Sequence, residues 1–234
     1  LEPTEDDDAG KLSTESQKIR ERIRTVANAH DAPVPEEAYE QAAKAASRSL
    51  SDRRLEIQQE RGRKWDLKVP PRWSGWSIDQ LPKPLQMEAN QWISEGFDNA
   101  ENLILSGPTG SGKTSMAYAI GRAIYSLGHK VKVWSAAELF DEMRTAEQSK
   151  VVLQSVKSST LLILDDLGSE RKTEWVEERL FLIVDFRWQW RLPMIVTTNL
   201  TPETFQEKVS ERVTSRLFED CQYITVTGDD YRAN

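Results

Sequence analysis

Five short runs of this chain, at 102–106, 131–135, 161–165, 193–198 and 222–226, are rich in apolar and β-branched residues and are bounded by polar turns. Runs of that length read as strands. Between them the apolar residues recur every three or four positions, which marks one face of a helix. Met116, Ile120, Ala123, Ile124 and Leu127 make such a stripe, and Gly128 stops it. Ser135-Ala-Ala-Glu138 is a capping box opening a helix that carries Leu139, Phe140 and Met143. A helix over 174–191 holds Trp175, Trp188 and Trp190, read as core or interface rings rather than a base-stacking platform. Thr201-Pro202-Glu203 supplies an N-cap with proline at the first helical position. The alternation of strand and helix predicts an α/β fold, a parallel sheet covered by helices on both faces.

The first third of the chain has a different rhythm. Leu12, Ile19, Ile23 and Val26 lie on one stripe of a predicted helix over 12–29, and His30 to Pro35 breaks it. A second helix from about Glu36 to Gly62 is so charged that it needs a partner surface. Residues 65–84 form a linker with four prolines and with Trp65, Trp73 and Trp76, too many large rings for a solvated tether. It is expected to wrap against a core domain that begins near Leu85 with a helix containing Met87 and Trp92. The chain is thus expected to divide into an acidic leader (1–10), a small helical region (11–64), the linker (65–84) and an α/β domain (85–234).

Composition narrows this picture only in places. A length of 234 residues allows one α/β domain and an appendage. The net charge of −7 is concentrated in Glu2, Glu5, Asp6, Asp7 and Asp8, so it does not decide for or against nucleic acid. The single cysteine, Cys221, excludes an internal disulfide framework and a cysteine-rich zinc site. No membrane span or secretory signal is visible, so the expectation is a cytoplasmic protein with no membrane partner.

The candidate chemistry sits at the ends of the strands. Gly107-Pro108-Thr109-Gly110-Ser111-Gly112-Lys113-Thr114 fits G-x-x-x-x-G-K-[ST] between a strand and a helix, the setting in which that motif binds phosphates. Its glycines let successive N–H groups, through Ser115 at the helix start, converge on one anion. Lys113 reaches the β- and γ-phosphates of ATP, and the Thr114 hydroxyl is a Mg²⁺ ligand. Leu161-Leu-Ile-Leu-Asp165-Asp166 is a strand ending in two carboxylates. Asp165 is read as the second metal ligand and Asp166 as the group that orients or deprotonates the attacking water. Asn199, after the 193–198 strand, either touches the γ-phosphate or water, or caps a turn. Arg212 and Arg216 share a helix face, and residue type alone admits solvated surface charges or an arginine finger.

Taken together, the glycine loop, Leu162-Ile-Leu-Asp-Asp-Leu-Gly168, Ile195-Val-Thr-Thr-Asn-Leu200 and Glu211-Arg-Val-Thr-Ser-Arg-Leu217 resemble the AAA+ ATPases of the DnaC/DnaI helicase-loader group, with the transposition helper IstB as a close relative. Pro70-Pro-Arg-Trp-Ser-Gly-Trp-Ser77 and Gly228-Asp-Asp-Tyr-Arg232 are similar to segments that flank the core in that group. The resemblance implies a P-loop NTPase of three αβα layers with strand order 5-1-4-3-2, the glycine loop on the central strand and no C-terminal lid. It further implies that Asn199 senses the γ-phosphate and that Arg216, ahead of Arg212, is a finger acting on a neighbouring subunit, so that the protein self-associates through its ATP sites. The implied function is ATP-driven delivery of a replicative hexameric helicase onto single-stranded DNA, with 11–64 gripping the helicase. The alternative is an IstB-like helper that binds duplex DNA and recruits a transposase. Compact loaders of this kind also suggest a phage or prophage origin.

Overall fold

In a computed structural model the described residues are Lys18, Glu21, Arg22, Thr25 and 36–227. The acidic leader, most of the predicted 12–29 helix and the Gly228–Arg232 segment lie outside them. The chain divides into two compact units, Leu1–Glu60 and Arg61–Asn234. In the first, the main described element is the start of helix α1 (Glu36–Asp66), whose Leu50, Leu55 and Ile57 are exposed. Among the described residues no helix is long and apolar enough to cross a membrane.

The second unit holds the last turns of α1, and this corrects one sequence expectation. The helix continues past Gly62 to Asp66, so Trp65 is a helical residue rather than part of a linker. Its ring is buried at 2% exposure and meets Tyr118 edge-on. The segment that follows wraps as expected, through single 3₁₀ turns at Pro71–Trp73 and Ile78–Gln80. Asp66 anchors it, accepting two hydrogen bonds from Arg122 at 3.0 and 3.1 Å and one from the Gly75 N–H at 3.0 Å. Burial alone would raise the Asp66 pKa, but these donors and the Arg122 charge hold it below the usual carboxylate range.

Helix α2 (Lys83–Gln91) then passes into a π turn at Trp92–Gly96. Trp92 is buried, whereas Met87 is exposed. The core alternates β1 (Asn102–Ser106), α3 (Lys113–Ser126), β2 (Val131–Ser135), α4 (Ala136–Glu142), α5 (Ala146–Lys157), β3 (Leu161–Asp165), α6 (Glu174–Gln189), β4 (Met194–Thr198), α7 (Pro202–Lys208), α8 (Glu211–Glu219) and β5 (Cys221–Thr225). Ser135 and Thr201 cap α4 and α7, each side-chain oxygen accepting from the backbone N–H three residues on.

The five strands are all parallel in the order β2-β3-β4-β1-β5. That is the expected 5-1-4-3-2, although the middle strand is β4 and not β1, which carries the glycine loop. Because successive side chains point to opposite faces, each strand feeds two cores. Ile104, Leu162, Leu164 and Val196 pack with α4 to α8, while Leu103, Leu105, Leu161, Ile163 and Ile195 pack with Trp65, Trp92 and α3. Met116, Ile120 and Ile124 of the α3 stripe are buried there, but Leu127 at its end is exposed. Gly121 permits the close approach: a Cβ would lie 2.7 Å from Ile163 Cδ1 and 3.0 Å from the Trp65 ring.

Arg187, which sequence reasoning passed over, is buried at 1% exposure. Its guanidinium donates to the carbonyls of Val156, Thr160 and Pro193 at 2.8 to 3.0 Å, tying the end of α5 to the starts of β3 and β4. Burial lowers its pKa to about 9, so it stays charged at neutral pH.

Candidate functional site

A parallel sheet places the carboxyl ends of all its strands along one edge, and the loops leaving β1, β3 and β4 meet there. After Ser106 the chain turns at Gly107 with φ 151°, where a Cβ would collide with the Val226 carbonyl. Gly110 and Gly112 follow with φ 88° and 98°, and Gly112 is the N-cap of α3. Left-handed glycines beside a helix N-terminus make a concave array of N–H groups suited to an anion. Lys113, buried at 7% exposure, donates at 2.8 Å to the carbonyls of Gly107 and Pro108, so the loop itself holds its amine.

From the next residue the site becomes acidic. Thr114 Oγ1 donates to Asp165 Oδ1 at 3.0 Å, and Thr197 Oγ1 donates to the same oxygen at 2.6 Å. Burial raises the Asp165 pKa; the bonds from Thr197 and Thr114 pull it back, Asp166 pushes it up and Lys113 lowers it, with a net rise. Asp166 adopts φ 58°, left-handed for a residue with a side chain, and its carboxylate accepts from Asn199 Nδ2 at 3.1 Å. Tyr118 stands behind the loop, its pKa pushed up to about 12 by burial and by the charges of Asp165 and Glu138.

These groups line one cavity of about 580 Å³. Thr109 to Ser115, Asp165, Asp166, Thr197 and Asn199 form one wall. The rest of the lining is Arg72, Trp73, Trp76, Gln80, Leu81, Pro82 and Leu85, from the wrapped segment and the start of α2. Trp73 is held there by stacking on Tyr118 at 5.5 Å with 24° between planes. Gly107 and Pro108 stand behind the cavity rather than in its lining, and act through their carbonyls on Lys113.

The cavity can take a chain of phosphates along the glycine loop and a flat ring against the tryptophans. The hydroxyl of Thr114 and the carboxylate of Asp165, 3.0 Å apart, are hard oxygen donors of the kind Mg²⁺ takes beside phosphate oxygens. From the sequence, Trp73 and Trp76 are expected only in a segment wrapped against the core, not at the site, and Thr197 has no assigned role. The Thr-Thr-Asn run and the density of rings among prolines are the signals that could have found them.

Arg216 lies away from this cavity. Its Nε donates to Asp185 at 2.7 Å, one Nη donates to the Arg212 carbonyl at 2.9 Å, and the group sits 5.0 Å from the centre of the Phe181 ring. Arg212 covers the same ring at 4.6 Å. Within one chain neither arginine joins the site. Trp175 packs edge-on against Phe140, whereas Trp188 and Trp190 are exposed.

Residues 86–234 match the family described as IstB-like ATP binding protein. The ATP-binding protein of insertion sequence IS5376 from Geobacillus stearothermophilus is 27% identical over 144 residues, 58% of this chain and 57% of its own length. The replicative helicase loader DnaC of Escherichia coli K12 is 24% identical over 152 residues, 62% of each chain. The chain thus spans about three fifths of the length of these curated relatives. Among solved structures, the crystal structure of the DnaC helicase loader superposes with a TM-score of 0.62 at 20% identity, covering 68% of this chain and 100% of that one. The sheet order and this likeness make the fold that of a P-loop AAA+ domain.

Proposed function

The chain belongs to the family of IstB-like ATP-binding proteins, and from that premise we propose that it is an ATPase that loads a replicative DNA helicase onto single-stranded DNA. The convergence of the glycine loop with Asp165, Asp166 and Asn199 in one cavity supports the hydrolytic part of this reading most directly. The similarity to a replicative helicase loader over 62% of the chain supports the rest.

In this reading the N–H groups of Gly110 to Ser115 bind the phosphate chain, and Lys113 exchanges its two loop carbonyls for β- and γ-phosphate oxygens. Thr114 and Asp165 would hold Mg²⁺, which would supply neutralisation of phosphate charge. Asp166 orients the attacking water and takes up its proton, and Asn199, already bonded to Asp166, fixes that carboxylate beside the γ-phosphate. Trp73 and Trp76 cover the base. Arg216 leaves Asp185 to reach the site of a second copy, so turnover requires self-association. Residues 11–64 bind the helicase, and the protein works in the cytoplasm.

The deciding experiment mixes purified protein with replicative helicase and labelled single-stranded DNA, with ATP or a non-hydrolysable analogue. Helicase retained with the analogue and transferred to DNA with ATP is the expected result, with Lys113→Ala inactive in both. A second reading draws on the family and on the insertion-sequence relative: a transposition helper that binds duplex DNA and recruits a transposase. Preference for double strands and retention of a transposase in place of the helicase would select it.

A further inference from the structure

The turn that carries both acids is clamped by a single residue of the neighbouring strand. The β3–β4 ladder runs to the Leu164–Val196 pair, and Thr197 comes next, beside Asp165. Its side-chain hydroxyl accepts the Asp166 N–H at 2.9 Å and donates to Asp165 Oδ1 at 2.6 Å, while its carbonyl accepts the Leu167 N–H at 2.9 Å. Three consecutive residues are therefore fixed by one threonine, which has no exposed surface.

We infer that Thr197 is a positioning residue that sets the two acids for metal and water. This rests on the proposed ATP and Mg²⁺ chemistry of the cavity. A hydroxyl has one proton, so N–H to hydroxyl to carboxylate is a directional chain in which each bond polarises the next. The chain fixes the rotation of the Asp165 carboxylate, because Thr114 and Thr197 both bond Oδ1. It also satisfies the backbone N–H of Asp166 in its left-handed conformation, which aspartate tolerates better than most residues but at some cost. Asp166 then presents its side chain to Asn199. Valine has nearly the shape of threonine but can neither accept the Asp166 N–H nor donate to Asp165. Serine can do both.

The test compares native protein, Thr197→Val and Thr197→Ser, using a fluorescent ATP analogue. With EDTA present, all three should bind the analogue equally, since the glycine loop is untouched. As Mg²⁺ is titrated, the midpoint of metal-enhanced binding should rise about tenfold in Thr197→Val, the scale on which lost outer-shell partners act, and stay near native in Thr197→Ser. At saturating Mg²⁺ and ATP, kcat should fall about tenfold or more in the valine protein, with KM little changed and serine restoring the rate. A shift in either readout that serine reverses supports the assignment. Native values for valine in both readouts, or a serine protein as impaired as the valine one, would overturn it. If valine abolishes binding in EDTA, Thr197→Ala replaces it with the same expectations. A native protein that binds Mg²⁺ and nucleotide without turnover would sink the ATPase reading, while the midpoint shift would still decide the role of Thr197.

Discussion

The glycine-loop part of the cavity lining and the tryptophan part are held by different forces. On the first, hydrogen bonds place the charged groups: Lys113 on two carbonyls, Asp165 between two hydroxyls, Asp166 on Asn199. On the second, Trp73 stays in place through stacking on Tyr118, and its segment through the Asp66–Arg122–Gly75 cluster. The first wall concentrates charge and raises the pKa of a buried carboxylate. The second gains from its packing, and the half-buried Asp66 that anchors its segment is paired with a guanidinium. A site that handles charge is stabilised by what it binds, whereas a packed strap is stable before anything binds.

The contrast breaks most sharply at Asp165. With Asp165→Asn, ATP turnover should fall about a hundredfold or more, because the proposed metal ligand is lost. The nucleotide-free protein should nevertheless melt higher at neutral pH. A folded pKa above the unfolded one means that the group favours folding below its unfolded pKa and loses that contribution as pH rises through the folded value. Asparagine removes this burden, so the gain in Tm should vanish as pH falls below the ordinary aspartate range. An unchanged or lower Tm at neutral pH would show that Asp165 is not strained.

Arg216→Ala comes next in size. Turnover should fall about a hundredfold at concentrations where copies associate, with nucleotide binding intact. Normal turnover would remove the intersubunit role and leave Arg216 as the partner of Asp185. In the tryptophan part, Trp73→Ala should weaken nucleotide binding about tenfold, the value of one stacked base, with a larger effect on KM than on kcat. A fall confined to kcat would move Trp73 from base covering to support of Tyr118. The smallest effect belongs to Asp66→Asn, which should cost on the order of 0.5–1 kcal/mol at neutral pH in denaturant titration. Since the folded pKa of Asp66 is depressed, its contribution is present above the unfolded pKa and is lost as pH falls through the folded one. The native and variant curves should therefore converge in acid.

Much of the α/β unit is legible along the chain because its strands are short, apolar and bounded by turn residues, the inner three of them buried on both faces. The 102–106, 131–135 and 161–165 runs are strands over those same residues, and 193–198 and 222–226 shift by a single residue at one or both ends. Helix ends are harder to read where tertiary contacts decide them. Nothing local in Gly62-Arg-Lys-Trp65 shows that α1 continues until Trp65 reaches Tyr118, and nothing local shows that Leu127 falls outside the core it is spaced to join.

By itself the sequence determined the strand and helix alternation, the glycine loop and the two acids at a strand end, because each rests on local spacing and on backbone freedom only glycine has. The tertiary structure alone decided that Thr197 clamps those acids, that the tryptophan strap lines the cavity and that Arg216 lies elsewhere within the chain. Those relations join residues far apart along the chain. They depend on which strands become neighbours and which rings find a surface to stack on, and no local pattern encodes either.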